Sequence, residues 1–508
     1  MKFKKVFVCL CFVIVALLGA GCSLGSFEAK FGTNITEYDM KLELSDKSTL
    51  KGKQTTNFKN TTANILNEVC FHLYPNSFSD IAINKPVSKL YESKAYPNGF
   101  SGGKIEILNV KALGENCVFV TENLDKDILK VQLNASLYPN DFVKIEMEYV
   151  ITIPNVVHRF GWNEKTINLG NFYPIVCVFD ENGWDKNPYN SNGDPFYSNL
   201  ANYNVEITYP KNLTLASTGI QGKTSVNDVL AENVGKNVQK TKTTNITAKA
   251  VRDFAMVLSS DFETSTETVD DTTILYYYYG DSEPQKSLET SKKALLTFNQ
   301  KFGKYPYKTL SVVETGFLFG GMEYPTLVMI SDDLEKYDDY TNTIVHEIAH
   351  QWWYGVVGNN EFEYGWLDES LAEYSVVVFY ENNPEYEIFR DVCIKNAITS
   401  YTLFVDVYKD VFNEVDTSMN RRLDQFDTEP EYVYAAYVKG MIMFDDIRNL
   451  IGDKNFFHSL QNYYKQYGGK NATPTNLIAT FENTCHKRLK AIFESYVDGS
   501  AIIGNVGE

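Results

Sequence analysis

Two histidines stand four residues apart in HEIAHQWW, His346 to Trp353, and a glutamate directly follows the first. On a helix, residues i and i+4 lie one above the other on the same face. His346 and His350 can therefore hold one metal ion, with the Glu347 carboxylate leaning over its edge. Paired imidazole ligands beside a base are the working parts of a zinc metallohydrolase. Six histidines in 508 residues make an accidental match rare. The competing reading is a buried helix with two satisfied core histidines. The flanks Ile344, Val345, Ile348, Ala349, Trp352 and Trp353 do point to burial. Burial favours the metal, because two stacked imidazoles in an apolar helix need something to bind.

Such a zinc site needs a third protein ligand and one open position. Downstream runs WLDESLAEYSVVVFY, in which Glu369 lies 19 residues after His350 at what reads as a helix start. Simple dipole capping would also place an acid there, beside Asp368 and Ser370. The spacing behind HEIAH favours Glu369 as the ligand. Glu373, one turn later, either orients a ligand histidine or is a solvated helix charge. Upstream, GGMEYPTLVMIS reads as a Gly-rich turn feeding a buried strand. Glu323 in it is either a loop glutamate or a carboxylate in the cleft, able to pair with an ammonium group. Gly320 and Gly321 ahead of it would let a substrate backbone come close.

GGMEY, then HEIAHQWW, then Glu369 resembles the aminopeptidase N and leukotriene-hydrolase family of zinc peptidases, the gluzincins. That family reads G-A-M-E-N, then H-E-x-x-H, then a Glu in N-E-G. The resemblance implies one zinc per chain on His346, His350 and Glu369, with Glu347 as general base. It implies that Glu323, with Gly320, Gly321 and Met322, binds the amino-terminal end of a peptide. It also implies a tyrosine for the oxyanion in a Y-x-K-G context, here YVKG, which selects Tyr437 with Tyr434 one turn earlier as competitor. FHLYPNSF, NLGNFYP, VFDENGW and VRDFAMV resemble the family's β domain and extend the likeness over about residues 30 to 500. A second amine-binding group from that domain is implied, with Asn168 and Asn171 as candidates. Gly321 stands for the family's Ala and Tyr324 for its Asn, which bears on side-chain preference near the scissile bond. Asp368 and Ser370 stand for Asn and Gly around the ligand. Large members also carry a helical carboxy-terminal domain over the cleft. This chain ends soon after the catalytic domain should, so the cleft is expected to be more open, or closed by a second subunit.

Three functions follow as expectations. The first is a zinc aminopeptidase acting on peptides with a free amino terminus. The second is a thermolysin-type zinc endopeptidase, and the third a non-catalytic peptide-binding lipoprotein. A carboxylate at Glu323 argues for the first, since an endopeptidase has no use for a charge blocking the end of its cleft.

The elements that must position these residues read as an α+β, multidomain chain. From residue 31 to 262, short alternating runs such as YDMKLELS and DFVKIEMEYVITI predict an antiparallel β domain. The resemblance casts it as a saddle or sandwich, followed by a thermolysin-like, mostly helical catalytic domain over 263–508. The polar stretch 217–249 predicts an exposed hairpin region, and WDKNPYNSNGDPF a long polar loop. YAAYVKGMIMFDDIRNLIG places Met443, Ile447, Leu450 and Ile451 on one helix face. His72, His158, His458 and His486 have no partner pattern and read as structural or surface residues.

Lys2, Lys4 and Lys5 precede an apolar run and LLGAGC, which reads as a secretory leader over residues 1–22. Its end resembles a bacterial lipoprotein site, with Cys22 lipidated. The alternatives are a plain signal peptide or an uncleaved anchor. Residues 23–30 read as a tether. An extracytoplasmic, membrane-anchored lipoprotein is therefore expected. The formal charge is −18, and loss of those three lysines leaves −21. Such a surface disfavours nucleic acid as a partner. The wide spacing of Cys70, Cys117, Cys177, Cys393 and Cys485 shows no disulfide framework and suggests buried thiols.

Overall fold

The computed structural model describes residues 26–227, 240–334 and 337–504. The leader and Cys22 lie outside these. Alternation builds the amino-terminal half. In Thr36–Asp46, Tyr38, Met40, Leu42 and Leu44 are buried while Asp39, Lys41 and Glu43 face out. This strand sits inside an eight-stranded sheet. It pairs antiparallel with Thr49–Lys59 on one side and parallel with Ala201–Pro210 on the other, the exception in an otherwise antiparallel domain. Two four-stranded sheets, ending in Phe160–Trp162 and Phe119–Glu122, and a two-stranded one, Phe179–Asp180 with Gly183–Trp184, complete the β half. The stretch 217–249 contributes Ile220–Asn227 paired antiparallel with Thr241–Val251. Phe27–Phe31, within the stretch read as a tether, forms a short helix, and Phe27 packs edge-on against Tyr307.

From Glu263 the chain forms a five-stranded sheet ordered Glu263–Val269, Thr272–Tyr278, Thr309–Thr315, Leu327–Ser331, Gly321–Met322. Its three inner strands are parallel, and each edge strand is antiparallel to its neighbour. Parallel strands covered by helices read as continuous apolar runs, as Leu327–Ser331 does. Helices follow: Tyr337–Ala349, Trp366–Asn382, Arg390–Phe412, Lys439–Ile451, Asp453–Tyr467, Pro474–Cys485 and Lys490–Val497. In Lys439–Ile451 the expected face holds for Met443, Ile447 and Ile451, whereas Leu450 is exposed. No helix among the described residues is long and apolar enough to cross a membrane. The five described cysteines are free; Cys70 and Cys177 are buried, while Cys117, Cys393 and Cys485 are partly exposed.

Buried polar joints lock the halves together. Arg252, fully buried, donates to the carbonyls of Ser198, Tyr354, Val356 and Lys470. Thr315 donates to Asn168 Oδ1, and Asn168 Nδ2 donates to the carbonyls of His158 and Gly316. Tyr324 donates to Asn171 Oδ1, while Asn171 Nδ2 donates to Asp253. Asn168 and Asn171 are therefore joints, neither lines the cleft, and the suggestion that one of them contacts a substrate amine is corrected. Tyr324 likewise points away from the cleft: its hydroxyl occupies the space a side chain at Gly170 would need.

Candidate metal centre and cleft

His346 lies in the last turn of Tyr337–Ala349 and His350 just beyond it, where the backbone still bonds back to His346. Glu369 is in the first turn of Trp366–Asn382, packed against that helix. Three donors converge. The two Nε2 atoms are 3.0 Å apart, and Glu369 Oε2 lies 3.2 Å from His346 and 3.1 Å from His350. Zinc bonds of about 2.0–2.1 Å set tetrahedral donors about 3.3 Å apart. The triangle thus has the dimensions of one face of a zinc tetrahedron, and all three residues line the cleft. Electrostatics agree: burial opposes a charge on His346, yet Glu369 and Glu373 outweigh it and lift the ring to about 10.

The far ring nitrogens are also held. His346 Nδ1 meets Glu373 at 3.0 Å, and His350 Nδ1 meets the Trp353 carbonyl at 3.0 Å. These bonds fix both rings with Nε2 free to ligate. A second acidic grouping, Glu323, His350 and Asp368, falls within 4.8 Å. Within it, Asp368 lies 3.9 Å from His350 Nδ1, which already meets the Trp353 carbonyl, and Asp368 accepts from Asn359. Glu373→Ala is expected to weaken zinc affinity about 10- to 100-fold, read by competition with a chromophoric chelator.

Glu347 is 6% exposed and its Oε2 has no hydrogen-bond partner. Burial pushes its carboxyl up to about 7, against the pull of His346 and His350. Gly321 lies directly against it: a Cβ there would stand 2.4 Å from Glu347 Oε1. The Gly that departs from the family pattern thus gives the carboxylate its seat. Tyr437 sits in a single π-helical turn, Tyr434–Val438. Such a turn inserts a residue and re-aims side chains, frequently at functional sites. Here it stacks Tyr437 on His346 with its hydroxyl 2.5 Å from Glu369 Oε1, while Tyr434 stacks on Phe404. The geometry separates the two tyrosines: Tyr437 lines the cleft and Tyr434 does not.

Glu323 follows the edge strand Gly321–Met322. It is 2% exposed, and one carboxylate oxygen is buried without a partner. Burial first, then the nearby Asp194 charge, raise its pKa well above the usual carboxylate range, with His350 opposing. An unpaired buried carboxylate is costly and calls for a positive ligand. Met322 turns its side chain into the core, so that of the GGME stretch only Gly320, Gly321 and Glu323 face the cleft. Gln351 ties this strand to the metal helix. Its Oε1 accepts from Thr326 N at 2.8 Å, and its Nε2 donates to the carbonyls of Glu323 and Tyr324. Gln351→Leu would strand these buried groups and is expected to cost about 1–3 kcal/mol in urea unfolding.

The cleft holds about 250 Å³. Its wall also includes residues that the sequence did not single out, among them Arg159, Tyr189, Asp194, Glu429 and Tyr432. His158, read as structural or surface, is buried among Phe78, Phe317 and Phe319 and also lines it. Arg159 is ion-paired with Asp194, which lies in the segment read as a polar loop. A charged residue between two aromatics, Tyr189 and Phe196, was the one available signal there.

A two-histidine, one-glutamate centre at the end of a helix, beside an edge strand, is the donor set of a zinc hydrolase site. Residues 286–496 match the family model described as the peptidase family M1 domain. It is similar to leucine aminopeptidase 2 of Aspergillus fumigatus, 28% identical over 198 residues, which are 37% of this chain and 30% of that protein. It is also similar to aminopeptidase N of Streptomyces lividans, 25% identical over 232 residues, 42% of this chain and 26% of that one. The matches thus span about a third or less of these relatives' lengths. The fold is that of the M1 zinc metallopeptidase from Deinococcus radiodurans, with TM-score 0.64 at 16% identity over 93% of this chain and 96% of that one.

Proposed function

We propose that this chain is a zinc-dependent aminopeptidase that removes the first residue of peptides outside the cytoplasm. One observation carries the reading: the orphaned, buried carboxylate of Glu323 stands in the same small cleft as the metal triad. His346, His350 and Glu369 would hold one zinc. Bound there, zinc supplies a water acidic enough to react at neutral pH and a Lewis acid for the scissile carbonyl. Glu347 accepts the proton of the attacking water and hands it to the leaving amine. The Tyr437 hydroxyl donates to the developing oxyanion. Glu323 pairs with the substrate ammonium by a charge-assisted bond and limits how far the peptide enters, so cleavage follows one residue. Gly320 and Gly321 let the substrate backbone approach the edge strand.

The relatives' names and the M1 family match support this reading, and a structure of the Deinococcus enzyme is described with a Tyr-Ser-Ala substrate. The extracytoplasmic, lipid-anchored location rests on the leader and Cys22. The decisive assay compares aminoacyl-arylamides with and without an amino-terminal acetyl group on zinc-loaded protein. Only the free-amine substrates should turn over. Equal rates on both would turn the reading to an endopeptidase. Zinc binding without hydrolysis of either would turn it to a peptide-binding protein.

A further inference from the structure

Glu429 is a carboxylate of the cleft wall that the proposed chemistry leaves unused. It opens the short helix Glu429–Val433, which runs directly into the π turn carrying Tyr437. It lines the same cleft as His346, Gly320 and Glu373. An acid in a first helical turn is ordinarily a solvated dipole partner. Glu429 does not fit that description, because its Oε2 is shielded from water and has no hydrogen-bond partner. No lysine or arginine among the described residues forms an ion pair with it. Burial accordingly pushes the carboxyl up to about 7 with no cation opposing it.

Its place along the cleft follows from strand direction. Residues Phe319 to Glu323 run along one wall, with the amine-binding Glu323 at the far end. A peptide pairing antiparallel to this edge strand starts at Glu323 and leaves past Gly320 and Phe319. The residue after the scissile bond therefore sits beside Gly320 and Phe319. Phe319 packs edge-on against Tyr91, and the Tyr91 hydroxyl feels the Glu429 charge. Glu429 and the apolar wall of Val433 line the same cleft as Phe319 and Gly320. A long aliphatic stem could lie on that wall with its charged head at the carboxylate.

We propose that Glu429 recognises a cationic side chain, lysine or arginine, on the residue following the cleaved bond. The assignment rests on the aminopeptidase reading. The test uses the zinc-loaded full chain and three dipeptides: Ala-Lys, Ala-Lys acetylated on its side-chain nitrogen, and Ala-Leu. Acetylation removes the charge and keeps the stem. The wild-type kcat/KM should favour Ala-Lys over its acetylated form about tenfold, and Glu429→Gln should bring that ratio to about one. A wild-type ratio near one overturns the assignment without any variant, even if Glu429→Gln does not fold. A high ratio that survives Glu429→Gln also overturns it, because the preference then arises elsewhere. If none of the three dipeptides is cleaved, the aminopeptidase reading itself fails. Brisk cleavage without preference sinks only the role of Glu429.

Discussion

Glu347→Gln is expected to lower kcat by about 10²–10⁴-fold while the chain keeps one equivalent of zinc. The substitution is nearly isosteric and touches none of the three donors, so metal content should not move. What it removes is an acceptor that can take a proton and return it. Glu347 is suited to that task because one of its oxygens is buried and unpartnered and the carboxylate rests against the bare backbone of Gly321. Metal analysis and single-turnover rates on the same sample check the pair of outcomes. Retained zinc with retained turnover would remove Glu347 from the mechanism. Lost zinc would mean that it supports the metal centre instead.

Glu323→Ala should cost about 2–5 kcal/mol of transition-state binding, the usual penalty for deleting one member of a buried charge pair. At about 1.4 kcal/mol per tenfold, kcat/KM on free-amine substrates falls by roughly 30-fold to a few thousand-fold. Any slow cleavage of acetyl-blocked substrate should stay where it was. An opposite effect on stability is also expected. In the substrate-free protein Glu323 is a buried carboxylate with an unsatisfied oxygen, pushed well above its usual pKa by burial and by Asp194. Neutral Glu323→Gln relieves that cost, so the zinc-loaded, substrate-free variant should unfold at higher temperature than wild type. Function and stability would then trade against each other at one residue. A variant that loses both activity and stability would point to a structural carboxylate.

Much of the metal centre was legible in the chain because it is local. The i, i+4 spacing of His346 and His350 is converted into shared geometry by helix pitch alone, and Glu369 needs only the next helix to fold back. The α+β class was legible for a similar reason, since alternating runs dominate the first half of the chain and helices dominate after Tyr337. The YVKG context pointed to Tyr437 over Tyr434, but the π turn that aims Tyr437 at the cleft and Tyr434 at Phe404 is visible only in the structure. Nor could the sequence show that Asn168 and Asn171 are spent as joints, since their partners Gly316, Thr315, Tyr324 and Asp253 lie 82 to 153 residues away.

By itself, then, the amino-acid order pointed to the donors His346, His350 and Glu369, to Glu347 beside them and to the helix that presents them, chiefly through short-range geometry. Only the tertiary structure decided which carboxylates share the cleft with the metal. It brings Asp194, Glu323 and Glu429 to the triad from three separate segments. Glu323 alone was singled out beforehand, in GGMEY; Asp194 and Glu429 were not, because a carboxylate's place at a cleft depends on its exposure and its partners. Those are properties of packing between distant segments.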